Sequence, residues 1–216
     1  MVVAPSVLTA DYIADRWPRL FHMAEAGSWP AIQRHGLLST SALLDLFEVT
    51  GSVRDHLEAA RRPESVPIEH PAYGTAWIRD NKPINETVLR RTLVGMTEAE
   101  FYRLLNGRVF LWLTEHRLAR LRGAPPYRNR KHDILIVDTA SFLSSYAERV
   151  ELSPMNSGAV HPAANYPRGE GTFSRIPDYP WTTRIALSPR EPIVEVTVPY
   201  AIRDIATYVA DVREGT

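Results

Sequence analysis

Apolar positions set the first elements. Leu8, Tyr12, Ile13 and Trp17 fall at helical spacing over residues 7–17, and Pro18 stops that helix. Residues 20–24 then read as a strand. Ser28 followed by Pro30 marks a helix start, and Gly36 gives it a glycine stop. More helix is expected over 41–61. Between 62 and 85, Pro63, Pro67, Pro71 and Pro83 predict mostly loop, with one short strand near Thr75 to Arg79.

Thr97 and Glu100 have capping-box spacing and predict a helix through Phe101, Leu104 and Leu105 that ends at Gly107. "RVFLWL", 108–113, is a strand by its β-branched and aromatic content. "DILIVD", 133–138, is an unbroken apolar run, which predicts a strand buried on both faces. A helix over 139–147 and a short strand near 149–152 follow. From Ser153 to Pro192 there are seven prolines and three glycines, and structureless segments of that length are usually functional or disordered. The chain closes on "PIVEVTVP", a strand, and "AIRDIATYVADV", whose Ile202, Ile205, Val209 and Val212 form one stripe and predict a final helix. The pattern is mixed α+β.

At 216 residues with 44% hydrophobic content, the chain is expected to form one domain, residues 1–216. Lysine plus arginine equals aspartate plus glutamate at 25 each, so any polyanion site must be local. The absence of cysteine removes disulfides, thiolate nucleophiles and cysteine-ligated metals. No basic segment precedes an apolar core at the start, and Asp11, Asp15 and Arg16 interrupt every candidate span, so a soluble cytoplasmic protein without a membrane segment is expected.

Two polar residues sit where strand propensity would not place them. His22 lies between Phe21 and Met23, and Glu195 shares a strand face with Ile193 and Thr197, opposite Val194, Val196 and Val198. Taken singly, the histidine reads as a hydrogen-bonded core residue and the glutamate as facing water. Their order along the chain changes that reading.

A strand His, a helix running into Gly-Leu, an aromatic strand and a late strand Glu follow the plan of the ADP-ribosyltransferase superfamily. More narrowly, the sequence resembles the DarT-type toxins that ADP-ribosylate DNA bases. "FHMAEAGSWPAIQRHGLLS" is similar to that family's opening segment, and "VFLWLTEHRLARL" to its aromatic strand with the following arginine and leucine. "VDTASFLSSYAERVELSPMNSGAV" is similar to its helix, strand and start of the target-recognition loop, and "VEVTVPYAI" to its catalytic strand. Two departures stand out. The family's Asn-Pro-Arg after the aromatic strand is here Leu113-Thr114-Glu115, and residues 41–92 have no counterpart and read as an insertion.

The resemblance implies a split β-sandwich of two small sheets with flanking helices, and NAD as co-substrate without a metal. Cleavage of NAD at the nicotinamide–ribose bond passes through an oxocarbenium-like state that a nearby carboxylate stabilises. Glu195 takes that role, holding the ribose and deprotonating the acceptor. His22 is placed against the adenosine ribose or the diphosphate side, so its imidazole is buried because its ligand is. Phe110 or Trp112 stacks on the nicotinamide ring, Arg117 is the candidate for the diphosphate, and Ser39 completes the NAD-binding set.

Residues 117–132 hold six Lys or Arg and no acid. A basic tract with an interleaved aromatic suits single-stranded DNA or RNA, which makes Arg120, Arg122, Tyr127, Arg128, Arg130 and Lys131 candidate contacts, with Asn156 from the recognition loop. A solvated loop is the plain alternative. A toxin of this kind implies an antitoxin or an ADP-ribosylglycohydrolase as its counterpart. Transfer to a protein or small molecule, and a non-catalytic binding module on the same fold, are the rival expectations. No histidine spacing suits a metal, and no glycine pattern suits a Rossmann or P-loop site.

Overall fold

The computed structural model describes residues 5–215; residues 1–4 and Thr216 lie outside them. Its first half runs α1 (Ala10–Arg16), β1 (Arg19–Glu25), α2 (Trp29–His35), β2 (Leu37–Leu38), α3 (Thr40–Leu46), α4 (Gly51–Ala59), β3 (Val66–His70) and β4 (Gly74–Ile78). Then come α5 (Glu86–Thr92), α6 (Glu98–Asn106), β5 (Arg108–Trp112), α7 (Glu115–Arg122), β6 (His132–Asp138) and α8 (Thr139–Tyr146). The chain finishes with β7 (Glu151–Ser153), β8 (Ser174–Arg175), α9 (Trp181–Leu187), β9 (Glu195–Pro199), β10 (Ala201–Ile202) and β11 (Val209–Arg213). The architecture is mixed α+β. Among the described residues no helix is long and apolar enough to cross a membrane.

His132–Val137, with the apolar run at 134–137, is buried throughout, because β6 is covered on both faces and paired on both edges, by β1 and by β11. The main sheet has the order β11-β6-β1-β5-β9-β7-β8 with antiparallel pairing. Its middle is thin. β1 lies along β6 over its full length and β5 along β9 likewise, whereas β1 and β5 share the single register pair Phe21↔Trp112. The sheet is therefore almost two, a three-stranded and a four-stranded half. Leu20 and Val137 from one half and Leu111, Val196 and Val198 from the other converge on a common core with Ile13 of α1 and Phe142 of α8. That core holds the halves together below while they part above.

The capping box at Thr97 and Glu100 forms as the spacing predicts. Three expectations change. The stripe at Ile202, Ile205, Val209 and Val212 is not a helix: Ala201–Ile202 pairs with β2, and Val209–Arg213 closes the open edge of β6. An unpaired edge on so apolar a strand is costlier than the helical hydrogen bonds forgone. The stretch near Thr75 to Arg79 is half of a ribbon, since Val66–His70 pairs with it across a turn and Pro67 sits on an edge, where a missing N–H is tolerated. The proline-rich segment 153–192 carries β8 and α9, and its Ile176, Tyr179 and Trp181 enter the main core.

Residues 41–92 build a small core of their own from Leu44, Phe47, Leu57, Ile68 and Ile78. Gly36, between α2 and β2, lies against the backbone at the end of β10. Its φ is +86°, and a Cβ there would lie 2.6 Å from the Arg203 Cα and 2.9 Å from the Ile202 carbonyl. Gly36→Ala adds left-handed strain to a backbone overlap that no rotamer relieves, so a loss of about 3 kcal/mol is expected. Chemical denaturation should show it as a lower midpoint at unchanged slope.

Candidate active-site cleft

Where β1 and β5 diverge beyond Phe21 and Trp112, the ladder lapses and a cleft of about 590 Å³ opens. That volume is in the range of small-molecule sites. One wall is the divergent end of β1 with Phe110 and Trp112 of β5; Ser39 and Asn156 border it, and Glu195 lies within it. The facing wall is the β3–β4 ribbon and its continuation, with Tyr73, Trp77 and Arg79.

Divergence leaves backbone groups of β5 without a strand partner, and buried carbonyls must find another donor. His22 supplies it. Its Nδ1–H donates to the Phe110 carbonyl at 2.8 Å. Burial, with the positive charge of Arg79 adding to it, lowers the imidazole pKa to about 4 even though the carbonyl bond works the other way. The ring is then neutral near pH 7, and with the proton held on Nδ1 its Nε2 is an acceptor.

Glu195 opens β9 opposite Trp112 on β5 and Ser153 on β7, and it is only 2% exposed. Burial raises its pKa to about 7, against the pull of Ser157 hydrogen bonding and of the Arg117 and Arg168 charges. The Ser157 N–H donates to both carboxylate oxygens at 3.2 Å. Arg168, itself buried, ties the loop down by donating to the carbonyls of Tyr166 at 3.1 Å and Ala159 at 3.2 Å. A carboxyl poised to gain or lose a proton near neutrality is suited to proton transfer or to meeting a developing positive charge.

Trp112 is buried among Phe21, Met23, Tyr127, Ile134 and Ile136, while Phe110 is half-buried and meets Phe173 edge-on at 6.1 Å. Ser39 has a structural duty: its Oγ caps α3 by accepting from the Ala42 N–H at 3.1 Å. Arg117 does not line the cleft. Its guanidinium forms a two-point pair with Glu191 at 3.1 and 2.5 Å, so the diphosphate role expected of it falls away.

The basic tract divides. Arg120, Arg128 and Lys131 are exposed and Arg122 partly so, none of them lining the cleft, while Arg130 is paired with Glu25 at 2.5 Å. Tyr127 is not an open stacking surface. It is 5% exposed, its hydroxyl donates to Asp80 at 3.0 Å, and the Arg79 guanidinium covers its ring at 4.8 Å. Leu121 and Tyr127 do bring the tract to the cleft's edge. Among the described residues no group of three or more His, Asp or Glu side chains is arranged to hold a metal ion.

A sequence model for DUF7002, a family of unknown function, matches residues 18–209. The chain belongs to this family. The DUF7002 match begins just ahead of β1 and ends at the start of β11, so His22, the ribbon and Glu195 all lie within it. No curated protein and no solved structure matches the chain.

Proposed function

We propose that the protein is an NAD-dependent mono-ADP-ribosyltransferase whose acceptor is a base of single-stranded DNA or RNA. The observation that carries this reading is one cleft, opened where the sheet divides, that holds both a buried carboxyl with its pKa near 7 and a neutral histidine of fixed tautomer. The near-split sheet also supports an ADP-ribosyltransferase-like split β-sandwich.

In this reading NAD lies along the cleft. The Nε2 of His22 accepts from a ribose hydroxyl, and the Phe110 or Trp112 ring flanks the nicotinamide. As the C1′–N bond breaks, its electron pair leaves with nicotinamide, and ionised Glu195 stabilises the ribosyl cation. A base nitrogen then bonds to C1′ and gives its proton to Glu195. Exposed Arg120, Arg128 and Lys131 beside the cleft's edge supply phosphate contacts for the strand. Such an enzyme acts as a toxin or phage-defence effector and requires an antitoxin or an ADP-ribosylglycohydrolase in its own cell.

One observation favours a second reading, transfer to a protein or small molecule. The aromatic within the basic tract, Tyr127, is buried and engaged, so it offers no face to a base.

Adenylate-labelled NAD tests both. Wild type should label single-stranded DNA or RNA, and Glu195→Gln neither. Label in lysate protein or in a small-molecule fraction would transfer the assignment to the second reading. NAD binding with no product would leave a non-catalytic binding module.

A further inference from the structure

The ribbon comes from the stretch 41–92 that the resemblance leaves without a counterpart, yet it forms a wall of the cleft. Strand alternation puts Ile78 on one face, buried against Leu44, Phe47, Leu57 and Ile68. Trp77 lies on the opposite face of β4 from Ile78, and Arg79 follows directly after the strand; both line the cleft, as Thr75, Ala76 and Ile78 also do. Trp77 is left 44% exposed there.

Arg79 is oriented but has no acid of its own. One Nη1–H donates to the Met23 carbonyl at 2.8 Å, Nη2 lies 3.4 Å from the His132 Nδ1, and the group stacks over Tyr127. Among the described residues it makes no ion pair with a carboxylate. Of the nearby acids, Glu25 pairs with Arg130 through Oε1 while its Oε2 makes no hydrogen bond, and Asp80 accepts from the Tyr127 hydroxyl. Burial lowers its pKa even though the charges of Glu25 and Asp80 pull the other way, which reflects the cost of enclosing a cation that no carboxylate touches. The other arginines on the cleft are occupied: Arg108 pairs with Glu151 at 2.8 Å, and Arg62 donates through all three guanidinium nitrogens to protein oxygens.

We propose that the ribbon holds the ADP half of the dinucleotide, with Arg79 on the diphosphate and Trp77 against the adenine. The inference rests on the NAD reading of the cleft. Trp77 and Arg79 are two residues apart, an advance of about 6.6 Å for extended chain, and both line the same cleft, a spacing of about the span of a ribose. Arg79 retains N–H donors for phosphate oxygens, since a guanidinium has five and protein groups take two at most.

Calorimetric titration of the full chain with ADP and with adenosine tests this. Arg79→Gln should weaken ADP about 10- to 100-fold, the loss expected of a charge-assisted phosphate contact, and leave adenosine nearly unchanged. Trp77→Ala should weaken both ligands about tenfold, as loss of base stacking does. Arg79→Lys should recover part of the ADP affinity, which a mere folding defect would not. No ADP binding by wild type, or wild-type affinity in Arg79→Gln, overturns the inference. If NAD is turned over with KM unmoved by either substitution, the inference fails while the transferase reading stands. If ADP binding depends on both residues in a protein that never consumes NAD, the inference stands as a nucleotide site and the transferase reading fails.

Discussion

For the proposed transferase, Glu195→Gln is expected to lower NAD turnover about 10³-fold and, above pH 7, to make the protein more stable than wild type. The amide keeps the shape of the carboxyl but carries no charge to oppose the ribosyl cation and takes no proton. In wild type, turnover should rise with pH through about 7 as Glu195 ionises. The stability effect follows from the same shift. The folded protein keeps the Glu195 proton to about pH 7, whereas an unfolded glutamate releases it near the ordinary 4.5. Between those values the native state holds more protons, so stability falls as pH rises, by about 3 kcal/mol in all. Glutamine removes that fall. His22 acts in the opposite sense. Its folded pKa of about 4 lies below the ordinary 6.5, so unfolding takes up a proton between them and stability falls as pH drops through that window. In wild type the two slopes nearly cancel, and Glu195→Gln should uncover the His22 slope. Thermal melts of both proteins from pH 4 to 8 check this. A melting difference that does not grow between pH 5 and pH 8, or turnover that survives the substitution, would reject the role given to Glu195.

Much of the cleft was legible because its ingredients are local. The alternation around Glu195, the misplaced His22, the aromatic strand and the Gly36 stop are each contained in a few residues, and the structure brings His22, Phe110, Trp112, Asn156 and Glu195 to one opening. What was not legible depends on partners far along the chain. Arg117 is neutralised by Glu191 from the proline-rich segment, and Tyr127 is drawn inward by Asp80. No local pattern carries those pairings. The C-terminal stripe fits a helix, but its fate was decided by the unpaired edge of β6, a tertiary demand that overrides spacing. The ribbon was half visible. The short strand near Thr75 was legible, but the prolines around it obscured its partner Val66–His70 and the cleft wall that Trp77 and Arg79 join.

Arg62 is where the fold of the 41–92 stretch and the shape of the cleft meet, and Arg62→Met should damage both. The side chain is 4% exposed. Its Nε donates to the Arg79 carbonyl at 3.0 Å, its Nη2 to the Asn106 Oδ1 at 2.8 Å, and its Nη1 to the Leu57 carbonyl. Asn106 in turn donates to the Glu58 carbonyl at 2.8 Å, so one guanidinium joins α4, the end of α6 and the exit of the ribbon. Burial lowers its pKa to about 10, which leaves it charged at neutral pH. Methionine fills similar volume but strands three acceptors, and a loss of about 3–5 kcal/mol is expected. For a chain of this size that is a fall of about 10 °C in melting temperature. The carbonyl set loose belongs to Arg79, so the ribbon wall should lose its fixed position and KM for NAD should rise more than kcat falls. Arg62→Lys should not rescue either quantity, because one ammonium cannot span three acceptors set by a planar fork. Melting at the wild-type temperature would show that the network does not carry the fold here. A lowered melting temperature with unchanged KM would show that the ribbon keeps its place without Arg62.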